Sequence, residues 1–179
     1  MSPALTPLQY AGYRQRMRTL LTGGIKSGKS SRALVLANDF SPGPRYFLAT
    51  ATAFDNEMAE RIKRHREERA GAFDTLEEPV DIDLALRERM IVDCIPMWLN
   101  NLFFQEREAD WESILERFLA SMPEELIIVT NETGMGVIPV DPMTRRYGVA
   151  LGRVNARLAQ AVDRVELLGF TDHTISIDW

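Results

Sequence analysis

Cysteine occurs once, at Cys94, and histidine only twice, at His65 and His173. A single cysteine excludes an internal disulfide and fits a reducing compartment, so the expected location is the cytoplasm. Two histidines and one cysteine are too few for a protein-built zinc site. Basic residues are in deficit. Against 26 Asp and Glu stand 21 Lys and Arg, a net charge of −5, so nucleic acid has no bulk electrostatic support as a partner. No apolar run reaches the length that spans a membrane. The opening stretch "MSPALTPLQYAGYRQRM" lacks the continuous apolar core of a secretion signal. Low-complexity tracts, internal repeats and long linkers are missing as well. What is present is 179 residues, 45 % hydrophobic and 26 % charged, enough for one domain with a sizeable core.

Short apolar runs alternate with helical segments, which predicts an α/β fold with a mostly parallel central sheet flanked by helices. Expected strands are Arg18 to Thr22, "RYFLAT", a short one in "FDTLEEP", "MIVDC", "ELIIVTNE" and "RVELLG", with "HTISID" as an edge. Expected helices run from about Lys29 to Asn38, through "DNEMAERIKRHREER" with Asp55 as cap, and through "PMWLNNLFF" with Pro96 in its first turn. Further helices are expected in "DWESILERFLASM" and "RRYGVALGRVNARLAQAVD". Trp98, Phe103, Phe104, Trp111 and Phe118 read as core or subunit interface, and Cys94 as inert.

The stretch Gly23-Gly24-Ile25-Lys26-Ser27-Gly28-Lys29-Ser30 fits G-x-x-x-x-G-K-S/T. Glycines let the backbone curl so that successive N–H groups point inward, and the following helix aims its positive end at the same point. Lys29 supplies a mobile cation for β- and γ-phosphates, and the Ser30 hydroxyl can ligate Mg²⁺. The loop follows a strand and opens a helix, the context that gives the motif its meaning. A nucleoside triphosphate, GTP or ATP, is therefore the expected substrate, with Mg²⁺ as cofactor. A second carboxylate at a neighbouring strand end normally completes such a site. Asp93 and Glu132 both qualify, and Asp93, closing the apolar "MIVD", is the better metal candidate. Residues 1–16 then read as an N-terminal extension and 17–179 as a single P-loop nucleotide-binding domain.

At about 100° per residue, Met58, Ile62, His65 and Arg69 share one helix face. The other charges of that helix balance, as on a solvated surface. A histidine on the buried face beside an arginine is held neutral near pH 7, and neutral imidazole is a nucleophile. Such a group can attack the α-phosphate of a nucleotide and expel pyrophosphate. By residue type alone, a structural histidine is the competing reading.

Taken together, "TGGIKSGKS", "YFLATATAFDNEMAERIKRHREER", "TLEEP", "VDCIPMWLNNLFF", "VTNETGMGVIP" and "GRVNARLA", in this order, resemble the bifunctional adenosylcobinamide kinase/adenosylcobinamide-phosphate guanylyltransferase family of cobalamin biosynthesis. The resemblance implies a RecA-like P-loop NTPase fold, a homotrimer and two reactions. One phosphorylates adenosylcobinamide with a nucleoside triphosphate. The other transfers GMP from GTP to adenosylcobinamide phosphate through a guanylylated histidine. Carried over by motif, that histidine is His65. The phosphate loop is Gly23 to Ser30, with Lys29 catalytic and Ser30 and Asp93 at the metal. Ala49, Thr50, Ala51, Arg66, Glu67, Glu68, Arg69, Glu77 and Asp93 are implied for the nucleotide site.

The match has departures. Ile25-Lys26 stand where relatives carry Ala-Arg, which keeps the charge and loses the planar fork. "PMW" replaces a Thr-containing segment. Tyr147-Gly148-Val149 replace Phe-Arg-Asp, and Ala156 replaces a Gln. The expectation is that guanylyl transfer is kept and that the corrinoid kinase half is altered. The alternatives are a single-activity or non-catalytic nucleotide-binding relative, a RecA-like ATPase motor, and a different small-molecule kinase.

Overall fold

Successive residues of the central strands belong to opposite layers. Leu20, Leu48, Val92, Leu126 and Ile128 pack into one apolar cluster, while Leu21, Phe47, Ile91, Ile127 and Val129 pack into another. Side chains alternate across a strand, so a sheet buried on both faces reads as a continuous apolar run. That is why "MIVD" and "ELIIV" carry almost no polar residues.

The computed structural model describes residues 17–53, 55–69, 71–133, 138–170 and 173–178. The expected extension 1–16 and the Gly134-Met135-Gly136 of "NETGMG" lie outside the described residues, as do the side chains of Glu68 and His173. In chain order the elements are β1 (Met17–Gly23), α1 (Lys29–Leu36), β2 (Tyr46–Ala49), α2 (Asn56–Arg69), β3 (Asp74–Glu77), β4 (Met90–Asp93), α3 (Ile95–Phe104), α4 (Trp111–Ala120), β5 (Glu125–Val129), α5 (Pro142–Ala161), β6 (Arg164–Phe170) and β7 (His173–Asp178). α1 ends two residues earlier than the spacing suggests, because Ala37–Asp39 tighten into a 3₁₀ turn. The Asp55 cap is as expected: its carboxylate accepts from the Met58 N–H at 2.7 Å.

The strand order is β3-β2-β4-β5-β1-β6-β7, parallel throughout except for β6 against β7. One strand, β5, thus separates the phosphate-loop strand β1 from the Asp93 strand β4. This is a RecA-like P-loop NTPase fold. Among the described residues no helix is long and apolar enough to cross a membrane.

The larger cluster lies under α3, α4 and α5. Trp98 and Phe118 are fully buried there, and the Trp98 indole donates to the Val80 carbonyl at 2.7 Å. Phe103 and Trp111 are partly buried, whereas Phe104 is 64 % exposed and so is not a core residue. On the other face α1 is fastened to the sheet by charge. Arg32 donates twice to the fully buried Glu166 of β6, at 2.8 and 2.9 Å, and that pairing raises the Arg32 pKa.

Candidate nucleotide site

The loop after β1 is held open by two glycines used in different ways. Gly23 pairs with Leu168 of β6, and a Cβ there would lie 2.1 Å from the Leu168 carbonyl oxygen. Gly28 takes φ 87° as the residue before α1, a left-handed turn that favours glycine. Inside the loop Lys29 is only 7 % exposed. Its ammonium donates to the Gly23 and Gly24 carbonyls and to the Ser27 hydroxyl. Burial pushes its pKa down, against the pull of Cys94 and Asp93. Ile25 and Lys26 are exposed at the loop's tip.

The strand order brings Asp93 to the loop. It closes β4 opposite Ala49 of β2, and the Ser30 hydroxyl donates to its carboxylate at 2.9 Å. Burial raises the Asp93 pKa, opposed by the Ser30 hydrogen bond and by the charges of Arg69, His65 and Lys29. Glu132, the other candidate, sits past β5, its N–H donating to the Gly23 carbonyl.

A hydroxyl and a carboxylate this close are hard oxygen donors that fit Mg²⁺, which is usually held by one or two protein groups plus substrate phosphates. Among the described residues no group of three or more His, Cys, Asp or Glu forms a metal cluster.

Ser30, Ala49, Ala51, His65, Arg69 and Asp93 line one cleft. The face of α2 that carries Met58, Ile62, His65 and Arg69 therefore looks into it, as the periodicity predicts. The expected burial of His65 is corrected: His65 is exposed, because its helix face borders an open cleft rather than the core. Arg69 stacks on Phe47 with its guanidinium 3.7 Å from the ring centroid. Arg66 instead pairs with Glu77 at 3.1 Å on the outer edge, both side chains more than half exposed. Glu67, about 200° around the helix from His65, is exposed away from the cleft.

Thr50 is fully buried, and its hydroxyl is engaged by protein. It donates to the Cys94 carbonyl at 2.8 Å and accepts from the Cys94 N–H at 2.9 Å. The Asp93–Cys94 peptide bond is cis. Thr50 is in turn held by Asn101, whose amide donates to the Thr50 carbonyl at 2.7 Å and to Pro79 at 2.9 Å. Asn101 was not legible as a site residue. The available signal was an amide within the apolar run "WLNNLFF", where burial demands hydrogen bonds.

The model of a family described as cobinamide kinase / cobinamide phosphate guanyltransferase matches residues 19–170. The chain belongs to this family. It is 38 % identical over 159 residues to the bifunctional adenosylcobalamin biosynthesis protein CobP of Pseudomonas aeruginosa, covering 83 % of this chain and 91 % of that one. Its identity to the bifunctional adenosylcobalamin biosynthesis protein CobU of Salmonella typhimurium is 35 % over 174 residues, 85 % and 95 % of the two chains. Among solved structures, the KaiC-like protein PH0186 of Pyrococcus horikoshii aligns over 87 % of this chain and 72 % of its own, at 16 % identity and a TM-score of 0.47. Tyr147, one of the positions expected to depart from the family, belongs to α5 and packs against α3. Burial pushes its phenol up to about 12, and its hydroxyl donates to the Pro96 carbonyl at 3.0 Å. Ala156 is exposed.

Proposed function

We propose that this protein phosphorylates adenosylcobinamide and then guanylylates the product through His65, giving adenosylcobinamide-GDP. The observation that carries the reading is that His65, Arg69, Ser30 and Asp93 line a single cleft beside the phosphate loop. In the first reaction the aminopropanol hydroxyl oxygen attacks the γ-phosphorus of GTP or ATP. The bond to the β,γ-bridging oxygen breaks, the nucleoside diphosphate leaves and the hydroxyl proton is lost. In the second, an imidazole nitrogen of His65 attacks the α-phosphorus of GTP and pyrophosphate leaves. A phosphate oxygen of adenosylcobinamide phosphate then attacks that phosphorus and breaks the P–N bond, freeing His65.

Within this scheme the loop N–H groups and Lys29 hold the β- and γ-phosphates. Ser30 and Asp93 hold Mg²⁺, which when bound neutralises phosphate charge. Arg69 offers its guanidinium to phosphate charge beside His65. Thr50 and Asn101 fix the chain at Asp93 rather than touching the nucleotide. Assembly as a homotrimer belongs to the same reading, and a sedimentation mass of three chains checks it.

The test is incubation with Mg²⁺ and α-labelled GTP beside His65→Ala. The expected result is an acid-labile, base-stable covalent label that the variant lacks. Bound GTP with no label in the wild type rejects the transferase half. A second reading, guanylyl transfer without corrinoid kinase activity, rests on Tyr147 standing where relatives carry another aromatic and on the missing Arg and Asp beside it. Phosphate transfer from labelled ATP to cobinamide at normal turnover rejects it.

A further inference from the structure

We propose that the cavity between α3 and the start of α5 seats the corrin body of the second substrate. This assignment rests on the reading above and adds the residues that recognise the acceptor. The cavity has a volume of about 750 Å³, in the range that holds a ligand-sized body. Its walls are mostly apolar: Met97, Phe103, Phe104, Met143 and Tyr147, with the Asn100 amide among them.

Three observations point to a ligand of one chemistry. First, Phe104 is 64 % exposed and Met143 51 % exposed, so neighbouring apolar side chains face water at a concave surface. Second, the floor is built to be apolar. The Tyr147 ring meets Phe103 edge to face, with centroids 5.6 Å apart, and the Tyr147 hydroxyl is tied to Pro96, so the ring rather than the hydroxyl is presented. Third, the rim disfavours an anionic body. Arg146 is paired with Glu108 at 3.4 Å, and the exposed Glu106 adds negative charge.

Position then connects the cavity to the chemistry. Met97 lines both this cavity and the cleft of His65 and Asp93. A molecule resting on Phe104 and Met143 has its near end at the wall shared with the reacting groups. The fitting occupant is a bulky, neutral or cationic body with apolar faces and peripheral amides, carrying its transferable hydroxyl or phosphate on a side arm. Cobinamide has this chemistry. Its cationic corrin with amide arms suits the Phe, Met and Asn100 lining, and its aminopropanol arm suits the neighbouring cleft. A second copy of this chain covering the same face is the rival occupant.

The experiment titrates the full-length protein with cobinamide, followed by its visible absorbance, and separately with Mg²⁺–GTP. Wild type is compared with Phe104→Ser and Met143→Ser, which remove apolar contact without adding charge, both at exposed positions, with the sedimentation mass of each. The expected result is about tenfold or weaker cobinamide binding in each variant, with GTP binding and mass unchanged. Unchanged cobinamide affinity in both variants overturns the assignment. So does a loss that appears only together with a fall in mass, which gives the face to a second copy. Wild type that binds GTP and no cobinamide rejects the functional reading itself.

Discussion

α1 and α2 both border the candidate nucleotide cleft, and they are held in opposite ways. α1 begins inside the phosphate loop and is fastened from beneath: Arg32 grips the fully buried Glu166, and Ala33 and Leu36 enter the core. α2 carries His65 and has only intermediate burial at Met58, Ile62 and Arg69. Its visible fastenings are the stack of Arg69 on Phe47 and the exposed Arg66–Glu77 pair. The lesson is a division of labour. The groups proposed to receive phosphate open a helix that is anchored to the core. The proposed nucleophile rides on an element whose fastenings, among the described residues, include a cation stacked on an aromatic ring and an exposed ion pair. A helix of that kind can shift by small amounts without disturbing the core.

The comparison can be broken most sharply at Arg32. Arg32→Met leaves Glu166 buried with only the longer contact to Arg164, so unfolding free energy should fall by about 3 kcal/mol, measured by denaturant titration. A loss under about 1 kcal/mol would show that α1 is no better anchored than α2.

The next effect is electrostatic and has a sign. Burial holds the Asp93 pKa above its ordinary value, so the folded state keeps a proton that the unfolded state releases. Stability of the nucleotide-free protein should fall as pH rises from the ordinary aspartate range up to the raised value. Asp93→Asn should remove that part of the slope and be at least as stable as wild type at neutral pH. It should also lose the rise in Tm that Mg²⁺–GTP gives, as melting curves across pH will show. A variant less stable than wild type at neutral pH contradicts the assignment.

The smallest effect is expected at α2's outer fastening. Arg66→Ala should change stability by less than about 1 kcal/mol, because both partners of the pair are exposed. A larger loss by thermal melting would place α2 among the well-anchored elements.

Legibility in the sequence follows the same division. The phosphate loop, its strand and Asp93 were readable because local pattern determines them: glycines at fixed offsets, an apolar run, an acid at its end. The face of α2 was readable from helical spacing, but its exposure was not, since a periodic stripe does not say whether core or cleft lies opposite. Burial of the Thr50 hydroxyl against Cys94 was hidden because it joins residues 44 apart in sequence. Asn101 was hidden for a similar reason. It reaches Thr50 across 51 residues, and nothing local separates it from its neighbour Asn100, which faces the other cavity. The Arg32–Glu166 pair spans 134 residues and gave no local sign at all.

Gly23 is at once the last residue of a sheet strand and the first of the phosphate loop. Even a methyl group there meets the Leu168 carbonyl at 2.1 Å, so it would push β1 from β6 while it deformed the loop. Mutational scans that score only activity will therefore report position 23 as intolerant without saying which of the two was lost. A readout of folding, taken alongside, is what separates a broken scaffold from an emptied site.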